Sequence, residues 1–312
     1  MRPEISITVA VLTYNPDSVK LAATMRSVLA QQGVKLELVV ADDGSARPDF
    51  DTPAQVCQAA DFQNVKYVKN PVNRGTVYNT LSAVENSTGT YVKLISPGDL
   101  LAGPDVLCRW AEEMERTKSD LSFAEAVYYG LDGDRIVPVC TRANPQDVSC
   151  YRRNNTELGR FRYLICDDLF LGAATLCRRE TLLPYLQRIA GKVVYAEDNV
   201  YRLMQYHRVP VCYFPETAVI YETGLGVSTS GSDVWRKRLK DDWDACSALL
   251  LADTGSDPLD SKLKLALGNT GKVIKHLLLP GLALWKIRKK LFSRKTPTQL
   301  PEAFMESVLQ QK

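Results

Sequence analysis

Residues 36–45 read LELVVADDGS, and this stretch carries the pattern that decides the fold. The apolar run Leu36–Ala41 is typical of a buried strand, and the polar residues Asp42–Ser45 form the turn that ends it. The alternation of strand and helix patterns continues on both sides of this stretch. It predicts further strands at Ile5–Leu12, Val65–Lys69 and Tyr91–Ile95, and helices at Val19–Gln31, Thr76–Glu85 and Pro104–Thr117. This order predicts an α/β, Rossmann-like fold with a largely parallel central sheet flanked by helices.

The pattern becomes less regular after Leu121. Short strands are predicted at 123–129, 135–140, 173–177, 211–214 and 219–221. The polar stretch 141–160 is long enough for a functional loop. From Asp233 onward the signal is mainly helical. The sequence therefore predicts a main domain over residues 1–232 and a C-terminal helical extension over residues 233–312.

The composition narrows the chemistry. The 312 residues are 45% hydrophobic and 24% charged, which suits a folded protein with a full core. Only two histidines are present, which argues against a histidine-rich metal site or a histidine-based triad and leaves carboxylates for acid–base work. The eight cysteines form no CxxC pair, and the first residues lack the pattern of a signal peptide. We therefore expect a reducing, cytoplasmic environment.

Positive charge is concentrated late in the chain. Residues 261–296 hold ten Lys or Arg and no Asp or Glu, although the whole chain has a net charge of only +3. The rest is mildly acidic, which argues against nucleic acid as a partner. Within Lys272–Lys295, the apolar run Leu277–Trp285 is too short to span a bilayer. An amphipathic element on an anionic membrane surface is favoured, with Trp285 and Phe292 entering the lipid. A helix packed on the main domain with a solvated basic face is the alternative.

Polar residues follow each of the four early strands. They are Thr13-Tyr14-Asn15, Asp42-Asp43-Gly44-Ser45, Asn73-Arg74-Gly75 and Ser96-Pro97-Gly98-Asp99. Ligands of open α/β sheets bind beyond the carboxyl ends of the strands, so we expect the four clusters to meet at one crevice. Each cluster alone is also what an ordinary turn contains. The occurrence of all four in this order favours a binding site.

The ordered set of motifs resembles glycosyltransferase family 2. The resemblance rests on VAVLTYNPD (9–17), LELVVADDGS (36–45), NPVNRGTVYNTLSAVENSTGTYVKLISPGD (70–99) and YAEDNVYRLMQYHRVPVCYFPE (195–216). It covers roughly residues 5–228. The resemblance implies a GT-A type fold and an inverting transfer of a sugar from a nucleotide-sugar donor. It also implies that the stretch 221–229 is either a loop that closes over the donor or a plain glycine-rich connector.

The resemblance implies roles for the residues at the donor end of the crevice. Tyr14 would stack on the nucleobase, and its neighbours Thr13 and Asn15 belong to the same motif. Asp42 or Asp43 would accept hydrogen bonds from the base or the ribose. A basic side chain beyond the third strand, Arg74, would hold a phosphate or an acidic neighbour.

The resemblance also implies a divalent cation, Mn²⁺ or Mg²⁺, at Gly98-Asp99. Asp99 would be the surviving carboxylate of the family's acidic motif, because such ions prefer hard oxygen ligands and are shared with substrate phosphates. This sequence departs from the family pattern, since Ser96 and Gly98 stand where further acidic residues are usual. The departure puts tight metal affinity in doubt. An Asp99 that only caps a turn is the alternative.

The resemblance assigns the general base to Asp198, with Glu197 less favoured. Asp198 is predicted to open a helix, where the exposed amides stabilise a carboxylate. Arg202 lies four residues later and is placed to pair with it. Both effects favour the ionised form that a base needs. An ordinary acidic residue at a helix start is the alternative.

The function implied by the resemblance is transfer of a hexosyl or N-acetylhexosaminyl group, most simply from a UDP-sugar. The acceptor would be a polyprenyl-diphosphate-linked saccharide of O-antigen or capsule assembly, met at the inner face of the plasma membrane. Two alternatives stay open. A catalytically silent scaffold that binds nucleotide sugar or membrane is favoured by the reduced metal motif and opposed by Asp198. A nicotinamide-dependent oxidoreductase is opposed by the lack of a glycine fingerprint after the first strand.

Overall fold

The computed structural model describes residues 5–132, 135–224 and 232–309. In these ranges the strands are β1 Ser6–Thr13, β2 Lys35–Asp42, β3 Val65–Lys69, β4 Tyr91–Ile95, β5 Leu100–Leu101, β6 Leu121–Asp132, β7 Arg135–Pro138, β8 Thr175–Arg178 and β9 Val211–Glu222. The helices are α1 Ser18–Leu29, α2 Asp51–Ala59, α3 Thr76–Glu85, α4 Val106–Thr117, α5 Ser149–Arg152, α6 Thr156–Ile165, α7 Arg179–Ile189, α8 Val200–Tyr206, α9 Asp233–Asp253, α10 Asp260–Leu267, α11 Lys272–Leu278, α12 Pro280–Leu291 and α13 Glu302–Leu309.

All the strands of the described part belong to one sheet. Its order is β3-β2-β1-β4-β8-β6-β9-β5, and β7 pairs with β6. The first four of these strands are parallel to one another. Both β4 and β6 are antiparallel to β8, so β4 and β6 run in the same direction. The strand β9 is parallel to β6 and shares this direction. Only β5, β7 and β8 run the other way within the described ranges. The predicted α/β fold with a largely parallel central sheet flanked by helices is confirmed.

Helices cover both faces of the sheet. In β1, Val9 and Val11 belong to a buried cluster that also contains residues of α1 and α4, whereas Ala10 and Leu12 belong to a second cluster with residues of α3, α7 and α8. Successive side chains of a strand point to opposite faces, so a strand covered on both sides is apolar at most positions. This double burial explains the continuous apolar runs of the first half.

Several elements differ from the sequence-based expectation, among them the short β5 and α5, which were not predicted. The helix α2 was not predicted, because it buries only Pro53 and Cys57 and therefore lacks a clear apolar stripe. One long strand, β9, replaces the two short strands predicted around Pro215-Glu216. It passes this polar interruption with a shift in its register against β6 near Glu125. A β-bulge of this kind lets a strand continue through residues that break the apolar pattern.

The C-terminal helices pack against the main sheet domain. Cys246 of α9, Leu263 of α10 and Trp285 of α12 share a buried cluster with β1 and α8. The expectation that Trp285 enters lipid is wrong, because its ring is only 2% exposed and lies under the guanidinium of Arg162 at 4.2 Å. The division of the chain at residue 232 stays a prediction. Among the described residues, no helix combines the length and the apolar character that crossing a membrane requires.

A buried carboxylate, Glu37 of β2, ties β1 and β2 to the turn before β4. It accepts hydrogen bonds from Thr8 Oγ1, Thr88 N and Thr88 Oγ1, and Lys66 Nζ lies 2.8 Å from its carboxylate. Burial alone would raise the pKa of Glu37, but these four contacts outweigh it and lower the pKa from 4.5 to about 2. The ionised form is therefore a stabilising part of the fold.

We expect Glu37→Gln to lower the free energy of unfolding by about 2 kcal/mol at neutral pH, because it leaves Lys66 and one hydroxyl without their partner. The contribution of a carboxylate with a depressed pKa is complete above 4.5 and is lost as the pH falls toward about 2. The difference between wild type and variant should therefore shrink over that range. Urea unfolding at several pH values measures it, with the exposed Glu112→Gln as control. A difference that stays constant down to the lowest pH would contradict the assignment.

Candidate active site

A cleft of about 570 Å³ opens at the carboxyl ends of β1 and β4. Three parts of its lining are strand ends, namely the segments after β1 and β4 and the end of β9. Helices α6 and α9 and the residues just before α8 contribute to the rest. Three of the predicted site residues line it together, namely Tyr14, Asp99 and Asp198. Of the four polar clusters expected to meet at one crevice, those after β1 and β4 line this cleft, whereas residues 42–45 and 73–75 do not. The turn that carries the predicted base also lines it.

The residues after β1 present Tyr14 to the cleft. Its ring is 53% exposed and free to stack on a planar ligand. Thr13 is buried, and its hydroxyl donates to Asp42 Oδ2 at 3.2 Å. Asn15 has a φ of +45°, and its backbone N–H donates to Ser45 Oγ at 2.7 Å. Thr13 and Asn15 thus hold the loop in place while Tyr14 faces the cleft.

The other residues predicted for the donor end are engaged beside the cleft. Asp42 is fully buried and accepts from Ser45 N and Ser45 Oγ at 2.7 and 2.6 Å. Asp43 accepts from Arg74 N and Gly75 N at 3.0 and 2.9 Å, and burial raises its pKa. The exposed guanidinium of Arg74 lies over the Tyr78 ring at 3.4 Å. These residues shape the turns around the site, and their predicted contacts with a nucleotide stay predictions.

Asp99 is held at the cleft by a tight turn. The preceding Gly98 has a φ of +101°, and a Cβ there would lie 2.2 Å from Glu222 Oε2, so only glycine fits. Asp99 Oδ1 accepts from the backbone amide of Glu222 at 3.0 Å. Burial raises the pKa of Asp99 to about 7, the Glu222 amide and Lys93 oppose this shift, and the Glu222 carboxylate adds to it. Asp99 therefore contacts another strand end rather than capping a helix.

Two cationic side chains near Asp99 were not predicted. Lys20 of α1 forms an ion pair with Glu222 Oε1 at 2.5 Å, and both residues line the cleft. Lys93 of β4 is buried beneath them and donates to Leu94 O and Ala173 O at 2.5 and 2.6 Å. Burial lowers the pKa of Lys93 to about 8. A lysine within the buried strand run YVKLI was the one sequence signal that pointed to this feature.

The oxygen atoms at this end suit a divalent cation. Asp99 and Glu222 are neighbouring carboxylates in the cleft wall, and hard oxygens are the ligands that Mg²⁺ and Mn²⁺ prefer. Within residues 5–132, 135–224 and 232–309, no group of three or more His, Cys, Asp or Glu side chains is placed to hold a metal. A cation here would therefore complete its shell with phosphate oxygens and water, as Mg²⁺ commonly does.

Asp198 lies in a 3₁₀ turn, Glu197–Asn199, that leads directly into α8. A Cβ on Gly172 would come within 3.2 Å of Asp198 Cβ, so glycine leaves room for the carboxylate beside the cleft. The expected pairing with Arg202 is not formed. Arg202 instead donates to Trp243 O and Ser247 Oγ at 3.3 and 3.1 Å, and its guanidinium lies 3.5 Å from the Trp243 ring centre. A tertiary contact with α9 replaces the local i,i+4 pair.

The two acidic residues of this turn differ in their proton affinity. Burial is the largest cause that raises the pKa of Asp198, and the nearby charge of Arg202 only partly offsets it. Burial and the charge of Asp198 raise the pKa of Glu197 further, to about 8. The expectation that the environment simply favours ionised Asp198 is therefore corrected. The two carboxyl groups therefore interact as they titrate, since the charge of Asp198 adds to the raised pKa of Glu197.

A third carboxylate, Asp242 of α9, holds the backbone that leads into this turn. It is 3% exposed and accepts from the amides of Val194, Tyr195 and Ala196 at 2.8, 2.7 and 2.9 Å. Sequence reasoning missed it because Asp242 resembles any other charged residue on a polar helix. Its position shows that the C-terminal helices help to build the site.

The sequence profile described as "Glycosyl transferase family 2" matches residues 8–179, which is more than half of the chain. The protein therefore belongs to glycosyltransferase family 2. A curated relative, the uncharacterized protein y4gI of Sinorhizobium fredii, is 32% identical over 138 residues. That match covers 44% of this chain and only 14% of the relative.

Solved structures show the same GT-A fold. The mannosyltransferase PcManGT from Pyrobaculum calidifontis, in complex with GDP-Man and Mn²⁺, has a TM-score of 0.59 and 16% identity, covering 98% of this chain and 86% of that one. Residues 1–349 of TarS from S. aureus, in complex with UDP, have a TM-score of 0.55 and 15% identity, covering 88% and 72%. At this level of identity the similarity concerns the fold.

Proposed function

We propose that this protein is an inverting glycosyltransferase that moves a hexosyl or N-acetylhexosaminyl group from a UDP-sugar to a hydroxyl of a lipid-linked saccharide. The acceptor is a polyprenyl-diphosphate-linked oligosaccharide of O-antigen or capsule assembly, met at the inner face of the plasma membrane. The observation that carries the proposal is that Tyr14, Asp99 and Asp198 line one cleft. An exposed aromatic ring, a carboxylate placed for a metal and a carboxylate base are the three parts that transfer from a nucleotide sugar needs.

The donor binds along the ends of β1 and β4 in this proposal. Tyr14 stacks on the nucleobase, and Asp99 and Glu222 are the carboxylates that would hold a divalent cation. When bound, that cation neutralises the negative charge of the departing nucleoside diphosphate. Lys20 adds a second positive charge at the same end of the cleft. Support for a nucleotide-sugar donor comes from the GDP-Man, UDP and UDP-GlcNAc complexes of the similar structures.

Asp198 acts on the acceptor in this proposal. Its carboxylate takes the proton of the attacking hydroxyl while the acceptor oxygen forms a bond to the anomeric carbon. The bond from that carbon to the diphosphate breaks on the other face of the sugar, and the configuration inverts. Protonated Glu197 stays beside Asp198 as a neutral neighbour. The position of Asp198 in the cleft lining supports this role, and its raised pKa, caused mainly by burial, favours proton uptake.

Binding of a donor panel tests this proposal. UDP-glucose, UDP-N-acetylglucosamine and GDP-mannose are titrated by calorimetry in Mn²⁺, in Mg²⁺ and in EDTA, and the anomer of any product is read by NMR. We expect one UDP-sugar to bind in the presence of metal, and Tyr14→Ala to weaken it about tenfold through lost stacking. Tyr67→Ala, an aromatic residue outside the cleft lining with 40% exposure, is the control. Binding of no donor would replace the transferase by the scaffold alternative, and a retained anomer would exclude inversion.

A further inference from the structure

The helices α11 and α12 expose an unusual amount of apolar surface. Eight of the seventeen large apolar side chains that are exposed in the described part of the chain lie between residues 273 and 292. They are Val273, Ile274, Leu277, Leu278, Leu284, Ile287, Leu291 and Phe292, and each is 52–75% exposed. We call the two consecutive helices α11 and α12, with Phe292, the hairpin, and these eight side chains the hairpin face. Such a concentration of exposed apolar side chains is typical of a surface that binds a membrane or another molecule.

The hairpin face is distinct from the side that packs on the protein. Leu282 and Trp285 are buried, and Gly281 lies so close to α6 that a Cβ there would come within 2.9 Å of the Phe161 ring. Leu284, Ile287 and Leu291 lie three and four residues apart and therefore project together from the opposite side of α12. No side chain of α11 is buried among the described residues. One side of the hairpin anchors it, and the other side lacks a covering element in the described ranges.

The charge around the hairpin face identifies what covers it. Residues 261–296 hold ten Lys or Arg and no Asp or Glu. A second copy of this chain would bring two strongly basic surfaces together, which is unfavourable. An anionic bilayer accepts apolar side chains at its interface and basic side chains at its headgroups. The two arginines of this segment pair with carboxylates of the main domain, Arg288 with Asp147 and Arg294 with Glu125, so its lysines supply the available charge. We propose, as a deepening of the proposed function, that the hairpin face docks into an anionic lipid bilayer and that the surrounding Lys side chains contact its phosphates.

The docked hairpin lies beside the catalytic cleft. The helix α12 packs on α6, because a Cβ on Gly281 would come within 2.9 Å of the Phe161 ring and Arg162 lies 4.2 Å from the Trp285 ring centre. The same helix α6 contributes Tyr163 to the lining of the cleft. The hairpin is therefore joined to a wall of the cleft through α6. A saccharide that stays attached to lipid reaches this wall from the membrane surface, whereas a soluble acceptor gains nothing from docking.

Vesicle sedimentation with the full chain tests the docking. Vesicles of phosphatidylcholine alone are compared with vesicles that also contain phosphatidylglycerol. We expect wild type to bind the anionic vesicles, and the triple variant Leu277→Ser, Leu284→Ser, Phe292→Ser to bind at least about tenfold more weakly. The control triple variant Val19→Ser, Val72→Ser, Val234→Ser changes equally exposed apolar residues elsewhere and should bind like wild type. Thermal unfolding confirms that both variants fold.

Each contrary result has a distinct meaning. Equal binding of wild type and the hairpin variant would overturn the proposal, as would failure of wild type to sediment with anionic vesicles. If light scattering finds a dimer of wild type that the hairpin variant loses, without vesicle binding, the face is an interface between two copies. Donor binding without vesicles should be the same in both proteins. Failure of donor binding in wild type, with vesicle docking intact, would remove the proposed function and leave the docking proposal standing.

Discussion

Asp198→Asn should lower kcat by about 10²–10⁴-fold and leave the dissociation constant of the donor nearly unchanged. Asparagine keeps the shape of the side chain beside Gly172 but cannot take a proton from the acceptor hydroxyl. In the proposed mechanism the donor contacts Tyr14 and Asp99, which the substitution does not change. Single-turnover transfer measures the chemical step, and calorimetry measures donor affinity. The two readouts separate a lost base from a disturbed binding site.

Glu197→Gln is the matched control for this prediction. Since burial and the Asp198 charge raise the pKa of Glu197 to about 8, it already carries a proton at neutral pH, and glutamine should cost less than about tenfold in kcat. If Glu197→Gln abolishes transfer while Asp198→Asn retains it, the assignment of the base to Asp198 is wrong.

The pH dependence of the rate reports on the same carboxylate. The base must be ionised, so kcat/KM falls as the pH falls below its pKa. Burial raises the pKa of Asp198 above the ordinary 3.8, so the acid limb should lie at higher pH than for an exposed aspartate. In Asp198→Asn this limb should disappear from the residual activity. An acid limb that persists unchanged in the variant would assign the titration to another group.

The sequence predicted the fold well because the decisive information was local. A strand buried on both faces is mostly apolar, and a run such as Leu36–Ala41, with Glu37 as its one charged residue, shows this without any knowledge of its neighbours. The same holds for Tyr14, Asp99 and Asp198, each of which ends a strand or begins a helix within a recognisable motif. The prediction needed only that strand ends of a parallel sheet meet at one edge.

The parts that the sequence did not predict depend on contacts between distant segments. Lys20 and Glu222 form their ion pair across 202 positions of the chain. Arg202 has the spacing for a pair with Asp198, yet Trp243 of α9 takes its guanidinium. Trp285 lies in a segment whose composition is typical of a membrane anchor, yet Arg162 of α6 covers its ring. In each case a local pattern allowed several partners, and tertiary packing selected one of them.

Asp242→Asn should lower kcat about tenfold without changing donor affinity, because Asp242 positions the segment that carries the base. Its carboxylate accepts from three consecutive amides, Val194, Tyr195 and Ala196, and the chain then turns directly into Glu197 and Asp198. Asparagine keeps the size of the side chain, but its NH₂ group then faces a backbone N–H group and cannot accept a hydrogen bond from it. Asp242→Ala, which removes all three bonds, should cost about 100-fold or more.

A readout that distinguishes positioning from general stability is the pH profile. The negative charge of Asp242 contributes to the raised pKa of both Glu197 and Asp198, although burial is the larger cause. Removing that charge makes ionisation of Asp198 easier, so the acid limb of kcat/KM should move to lower pH in Asp242→Asn. The control is Asp244→Asn on the same helix, where the carboxylate is 57% exposed and pairs with Lys240. If the rate falls only in proportion to lost thermal stability and the acid limb does not move, Asp242 has a structural role alone. A carboxylate that acts on the base changes both the rate and the proton affinity of that base.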